Sequence, residues 1–387
     1  MSVVNYFITK KKIDLFTAET IFEKIEKHYK NKLPFVVYRK PNASMVKGLF
    51  QLNNNLHVTE NYKEKGFVFA PFNDTENSIL IPFDDSENFE ANFDIKEQII
   101  YKKNESSFQE EDKLKHINLV EKGIEAINNN HFKKVVLART EVVNLQAFSI
   151  INTFKNLLFK YNLAFVYCWY HPKVGLWFGA TPETLMKVEG QKFSIMALAG
   201  TQEYKNSLNV VWEQKEKQEQ QIVTDYITNS IAPFVNGVVV SEVETVRAGN
   251  LVHLKTMISA NLNSWQSNLE SIISALHPTP AVCGMPKKEA MEFILKNESH
   301  NRGFYSGYLG ELNYESKSTL KSSKRNIENR AYSISRKCTQ LYVNLRCMQI
   351  KDNAAIVYVG GGITKSSNPL KEWEETVAKS KVIKSIL

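Results

Sequence analysis

With 387 residues, 43% hydrophobic and 23% charged, the chain can bury one large core or two, and its composition is that of a soluble globular enzyme. Its net charge of +8 suits small anionic substrates as well as polyanions, no apolar run is long enough to span a membrane, and nothing after Met1 reads as a signal peptide. The cysteines, Cys168, Cys283, Cys338 and Cys347, are scattered without a Cys-x-x-Cys pair, which speaks against a zinc site or disulfide framework and for reduced thiols in the cytoplasm.

Residues 1–110 read as an antiparallel β region with helical excursions. Short strands are expected at 36–38, 67–69 and 79–82, separated by Asn, Asp and Lys clusters. The acidic stretch 84–92 reads as a solvated loop. From 110 to 129, Leu114, Ile117, Val120 and Ile124 recur at helical spacing until Asn128-Asn129-Asn130 ends the pattern. The next strand, 134–139, is apolar after its first residues. Lys134 at its start is either a snorkelling surface side chain or a functional amine. A helix is expected over 149–159, then strands at 164–167 and 176–178.

Pro182 fixes the backbone ahead of Glu183, which lies beside apolar Leu185 and Met186. Buried there, the carboxyl would hold its proton to higher pH and be able to donate it; at the surface it is a strand-end glutamate facing water. A strand at 194–198 ends at Ala199-Gly200-Thr201, where the glycine lets a ligand approach the backbone. On the helix 212–226, Glu216 and Glu219 share a face. They are either a cation-binding pair or a solvated charged face beside Lys215 and Lys217.

His277 opens a rigid His-Pro-Thr-Pro turn, as a hydrogen-bond donor to substrate or as a capped, satisfied histidine. Residues 302–310 mix glycines and aromatics, as in a strand close to a ligand or another backbone. The basic stretch 314–337 reads as a surface excursion. It lacks interleaved aromatics, so no nucleic-acid partner is expected. Residues 341–346 alternate as a strand ending near Arg346, with 354–359 as its hairpin partner. Gly360-Gly361-Gly362 lacks the Gly-Lys-Ser/Thr of a nucleotide loop. Asn368-Pro369 starts a helix on which Glu372, Glu375 and Lys379 fall on roughly one face.

Read together, Lys-Val-Val-Leu-Ala-Arg (134–139), Gly-Ala-Thr-Pro-Glu-Thr-Leu (179–185), Leu-Ala-Gly-Thr (198–201), Glu-Gln-Gln-Ile-Val-Thr-Asp (219–225), Leu-His-Pro-Thr-Pro-Ala-Val-Cys-Gly (276–284), Arg-Gly-Phe-Tyr-Ser-Gly (302–307), Leu-Arg-Cys (345–347), Val-Gly-Gly-Gly-Ile (359–363) and Glu-Trp-Glu-Glu-Thr (372–376) resemble the chorismate-utilising enzymes, and among them the isochorismate synthases. The motifs run in family order from about residue 115 to the C-terminus; residues 1–110 match loosely. The resemblance implies an α+β chorismate-binding enzyme fold, with two large, mostly antiparallel β-sheets packed face to face and flanked by helices. It implies one domain over 1–387, chorismate (a dicarboxylate) as substrate, Mg²⁺ as cofactor, no membrane partner and a monomer.

The implied reaction is attack of water on ring C2 while the C4 hydroxyl leaves and the double bonds shift. By motif position Lys134 matches the general base, which acts only in its neutral form, and Glu183 the general acid. Glu219 and Glu375 match the Mg²⁺ ligands, with Glu216 and Glu372 as a second acidic layer. Arg346 and Lys379 match the groups that bind the carboxylate of the enolpyruvyl arm. His277 matches a histidine near the departing hydroxyl, and Gly200, Gly361 and Gly362 match backbone positions that close on the substrate. Lys134 stands where the ammonia-using branches generally carry glutamine, so water is the expected nucleophile. A salicylate synthase, which adds pyruvate elimination, is the alternative enzyme. An inactive chorismate-fold protein or basic binding module is the non-enzymatic one. Gln220 departs from the family, which usually carries histidine there, and the 314–337 excursion is longer than expected. The product would feed menaquinone or siderophore synthesis.

Overall fold

Two apolar runs, Phe35–Arg39 and Phe165–His171, are buried at every position and pair antiparallel with each other. Strands covered on both faces carry such unbroken apolar sequence. They lie inside the first of two ten-stranded sheets in the computed structural model, which describes residues 14–93, 110–248, 251–263, 265–317 and 335–387. That sheet runs, edge to edge, Asp14–Phe16, Ser86–Asn92, Met45–Gln51, Phe35–Arg39, Phe165–His171, Gly175–Thr181, Cys347–Lys351, Ala354–Ile363, Lys134–Asn144 and Gly284–Met285. The second runs Val235–Val240, Leu251–Leu262, Lys192–Glu203, Thr184–Glu189, Ser335–Val343, Tyr308–Lys317, Gly66–Ala70, Ile79–Pro82 and His57–Val58, with Glu244–Ala248 also paired to Leu251–Leu262. Only Asp14–Phe16 with Ser86–Asn92 is parallel among the described pairs.

The sheets pack face to face through an aromatic core. Phe69 of the second sheet meets Trp169 and Trp177 of the first edge-on at 4.9 and 5.9 Å, and Phe165 stacks on Tyr342 at 4.1 Å. Helices Ala18–Lys30 and Ile150–Lys160 cover the outer face of the first sheet, together with the last turn of Pro369–Lys384. Gln214–Ile231 and Trp265–Leu276 cover the outer face of the second. This is the α+β architecture expected. No helix among the described residues is long and apolar enough to cross a membrane.

Four local expectations change. The stretch 84–92 is not a loop: Ser86–Asn92 is a strand whose Phe89 and Ala91 are buried beneath helix Ala18–Lys30, with Glu87 on the same face paired to Lys24 of that helix and Glu90 on the other face paired to Lys47. Alternation outweighs the acidic composition. Residues 341–346 and 354–359 are not a hairpin. Ser335–Val343 belongs to the second sheet, and Ala354–Ile363 pairs in the first with Cys347–Lys351 and Lys134–Asn144. Between them the chain crosses from sheet to sheet, with Arg346 at φ +49°. The strand expected from Arg302 starts at Tyr308, after turns closed by the Tyr305 and Gly307 amides on Arg302 and Phe304 carbonyls. The ends of the basic excursion continue strands Tyr308–Lys317 and Ser335–Val343, and 318–334 lie outside the described residues, as does the segment read for a signal peptide up to residue 13.

Candidate active site

Two sheet crossings run side by side and carry two of the expected side chains. Glu183 sits between Gly175–Thr181 of the first sheet and Thr184–Glu189 of the second, and Arg346 between Ser335–Val343 and Cys347–Lys351. The crossings are tied by backbone bonds: the Val343 amide donates to the Glu183 carbonyl at 3.0 Å and the Ala180 amide to the Arg346 carbonyl at 3.0 Å. The Thr181 hydroxyl adds a 2.6 Å bond to the Val343 carbonyl. Glu183 is half-buried in the cleft, and desolvation pushes its carboxyl up to about 7 although Arg346 and then Lys134 pull it down.

Lys134 is the first residue of Lys134–Asn144, and its register partner is Met285 of the short edge strand. Its side chain is 16% exposed and its Nζ donates to Glu219 Oε1 at 2.7 Å, which excludes the snorkelling reading. Gly362 leaves it room: a Cβ there would stand 3.1 Å from Lys134 Cε. Glu219 comes from helix Gln214–Ile231. That helix is pinned by Gln220, 1% exposed, whose amide donates to the Ala197 carbonyl at 3.1 Å and Thr256 Oγ1 at 2.9 Å. So the residue that departs from the family pattern anchors the helix. Gly200, at φ +66° in a bulge, lets the helix approach, because a Cβ there would come within 3.2 Å of Glu216 Cβ.

Helix Pro369–Lys384 begins as read, with the Asn368 side chain accepting from the Lys371 amide at 3.1 Å. Lys379 pairs with Glu375 at 2.5 Å and donates to the Gly360 carbonyl at 2.9 Å. The missing side chain of Gly361 leaves a point 3.5 Å from Glu372 Oε2 and 3.9 Å from Glu375 Oε1. Burial lowers both Lys379 and Arg346; Glu375 and Glu183 are among the charges that oppose the drop at Arg346.

The structure therefore gathers Lys134, Glu183, Glu219, Arg346, Glu372, Glu375 and Lys379, with Gly361 and Gly362 at their backs. It does not bring in His277. That ring is buried outside the second sheet, where Nε2 meets the Pro71 carbonyl at 3.0 Å and Tyr308 packs edge-on at 4.8 Å; burial drops its pKa to about 4. Of the two readings of His277, the satisfied histidine is the one the geometry matches. His253, which sequence reading passed over, does reach the cleft. Its Nδ1 lies 3.0 Å from the Gly200 carbonyl, and Arg346, Lys379 and Glu375 all act on its charge. Its only sequence signal was a polar residue in the apolar run Leu251–Leu254.

The acids suit a hard divalent cation by donor chemistry. All are carboxylate oxygens, and Glu216 Oε2 is buried with no hydrogen-bond partner. Among the described residues no three acid, histidine or cysteine side chains close on one point. One or two carboxylates completed by waters and substrate oxygens is the usual Mg²⁺ arrangement, so the residues present fit such an ion.

A family model described as "Chorismate binding enzyme" matches residues 57–322, and a second, "chorismate binding enzyme", matches 332–385. The isochorismate synthase MenF of Pasteurella multocida is 28% identical over 295 residues, which is 72% of this chain and 62% of that protein. Across the first curated relatives the chain spans 49% to 62% of their length. Among solved structures, DhbC of Bacillus anthracis superposes with a TM-score of 0.72 at 20% identity, covering 94% of this chain and 98% of that one. MenF of Escherichia coli, described as a menaquinone-specific isochorismate synthase, gives 0.73 at 18% identity over 92% and 88%. These two likenesses show the fold. With the family model covering more than half of its length, the chain belongs to the chorismate-binding enzymes.

Proposed function

We propose that the protein is a Mg²⁺-dependent isochorismate synthase, a cytoplasmic monomer whose product feeds menaquinone or siderophore synthesis. One observation carries the reading: Lys134 and Glu183 share a cleft, and burial holds Glu183 near 7, where a carboxyl still has a proton to give. In this assignment the neutral Lys134 amine takes a proton from water as the water oxygen bonds to ring C2. The ring double bonds shift, the C4–O bond breaks, and Glu183 supplies the proton with which the hydroxyl leaves as water. Atoms and electrons balance as an isomerisation, and one net proton transfer from Lys134 to Glu183 resets the pair.

Arg346 and Lys379 bind the enolpyruvyl carboxylate, so two cations face one arm of the dicarboxylate. A bound Mg²⁺, held by Glu219 and Glu375 with Glu216 and Glu372 behind them, would supply a positive anchor for the ring carboxylate. The test is incubation with chorismate and Mg²⁺, with and without EDTA, and chromatography of the products. Isochorismate that vanishes with EDTA is expected. Salicylate with pyruvate would move the protein to the salicylate branch. Anthranilate or aminodeoxychorismate formed only with ammonia would overturn the role of Lys134, and no product at all would overturn the enzyme reading.

A further inference from the structure

Arg139 lies five residues beyond Lys134 on the same strand, Lys134–Asn144. An odd separation projects the two side chains to opposite faces. Arg139 therefore acts on whatever packs behind the sheet, and there it meets helix Pro369–Lys384. It is 8% exposed. Its Nε donates to Thr376 Oγ1 at 2.8 Å, and its guanidinium lies 4.2 Å from the ring centre of Trp373. Trp373 and Thr376 are themselves buried, and they are the immediate neighbours of Glu372 and Glu375. Glu141 extends the contact, 3.5 Å from Arg139 Nη1 and paired with Lys384 at the far end of the helix. A planar guanidinium that stacks on one residue and donates to the next turn fixes both rotation and height of a helix; a lysine ammonium does neither.

Resting on the functional reading above, we propose that Arg139 is a positioning residue that sets the helix bearing Glu372, Glu375 and Lys379 against the strand bearing Lys134. It touches no reacting atom. Its effect passes through Trp373 and Thr376 to the adjoining Glu372 and Glu375, and outer residues that orient metal ligands typically shift metal affinity by roughly 10- to 100-fold.

The experiment titrates Mn²⁺ by electron paramagnetic resonance into the whole protein without substrate, and separately measures kcat and KM for chorismate. The proteins are wild type, Arg139→Lys, Arg139→Gln, Thr376→Val and the Arg139→Gln/Thr376→Val pair. Each single variant is expected to weaken Mn²⁺ by about 10-fold or more and to lower kcat more than it changes KM. The pair is expected to be no worse than Arg139→Gln alone, because both act through one contact. Should Arg139→Gln fail to fold, Thr376→Val, which replaces a hydroxyl by a methyl, carries the test. Unchanged Mn²⁺ affinity and kcat in Arg139→Lys and Thr376→Val, beside an active wild type, overturns this inference alone; so do losses that simply add in the pair. A wild type that neither binds Mn²⁺ nor converts chorismate overturns the functional reading and this inference with it.

Discussion

Lys134 Nζ donates to Glu219 Oε1 at 2.7 Å, so the side chain assigned to proton abstraction rests on one assigned to the cation. An ammonium and a divalent ion compete for the same carboxylate. Lys134→Ala is therefore expected to lose turnover by about 10²-fold or more while binding Mn²⁺ at least as tightly as the wild type. Glu219→Gln is expected to lose both. Paired turnover assays and Mn²⁺ titrations check this. Weaker Mn²⁺ binding in Lys134→Ala would mean that the lysine holds the acid in place, and retained turnover would remove it as the base.

Glu183 makes a prediction about pH. Its folded value of about 7 stands above the ordinary 4.5 because it is desolvated. The native state keeps the proton up to about 7, whereas the unfolded chain releases it near 4.5. Stability from this group is therefore highest below 4.5, falls as pH rises to about 7 and levels off above, by roughly 2 kcal/mol once water in the cleft is allowed for. Glu183→Gln should raise Tm relative to wild type more at pH 8 than at pH 5. A general acid must also be protonated to act, so kcat should decline above pH 7 in the wild type. A kcat that stays flat from pH 6 to 9 would take that role from Glu183.

What the sequence made legible follows from how local each signal is. Asn368 with Pro369 is a local signal, and the helix starts there. The apolar runs around Val36 and Val166 are local too, and both are buried strands. The crossing at Arg346 is not: residues 341–359 show two alternating stretches with a break, which one sheet or two would satisfy. Aromatic packing between the sheets, such as Phe165 on Tyr342, decides which strand faces which. In the site, the motif positions of Lys134, Glu183, Glu219, Glu375, Arg346 and Lys379 converge. Lys379 on Glu375 is an i,i+4 pair that spacing encodes, whereas Lys134 on Glu219 and Lys379 on the Gly360 carbonyl are tertiary contacts that no spacing encodes.

The two histidines separate on the same ground. His277 stands in a Pro-rich turn that looks functional, yet its ring is spent on the Pro71 carbonyl and Tyr308. His253 sits in a plain strand, yet Arg346, Lys379 and Glu375 bear on it. His277→Asn is expected to cost about 1–3 kcal/mol of stability through a lost buried bond, with kcat unchanged. His253→Gln is expected to lower kcat or raise KM with little change in Tm. Thermal melts and steady-state kinetics on both variants check the split. A His277 variant that melts normally but turns over slowly would return that residue to the site.

His116 carries the last prediction. It is 3% exposed on helix Glu110–Asn128, packs 5.9 Å from Trp373, and neither ring nitrogen has a hydrogen-bond partner. Burial, then Arg139 and His300, lowers its pKa from 6.5 to about 4. The unfolded chain takes up this proton below 6.5 and the native state only near 4, so the histidine draws stability away as pH falls through that window. Removing it should help twice. His116→Leu deletes two unpartnered polar atoms, about 1–3 kcal/mol, and it abolishes the acid penalty. Urea unfolding should therefore show the variant more stable at pH 7 and further ahead at pH 5. A variant less stable at both values would show that the ring is held by bonds to ordered water, and that Arg139 and His300 face a hydrated pocket rather than a dry one.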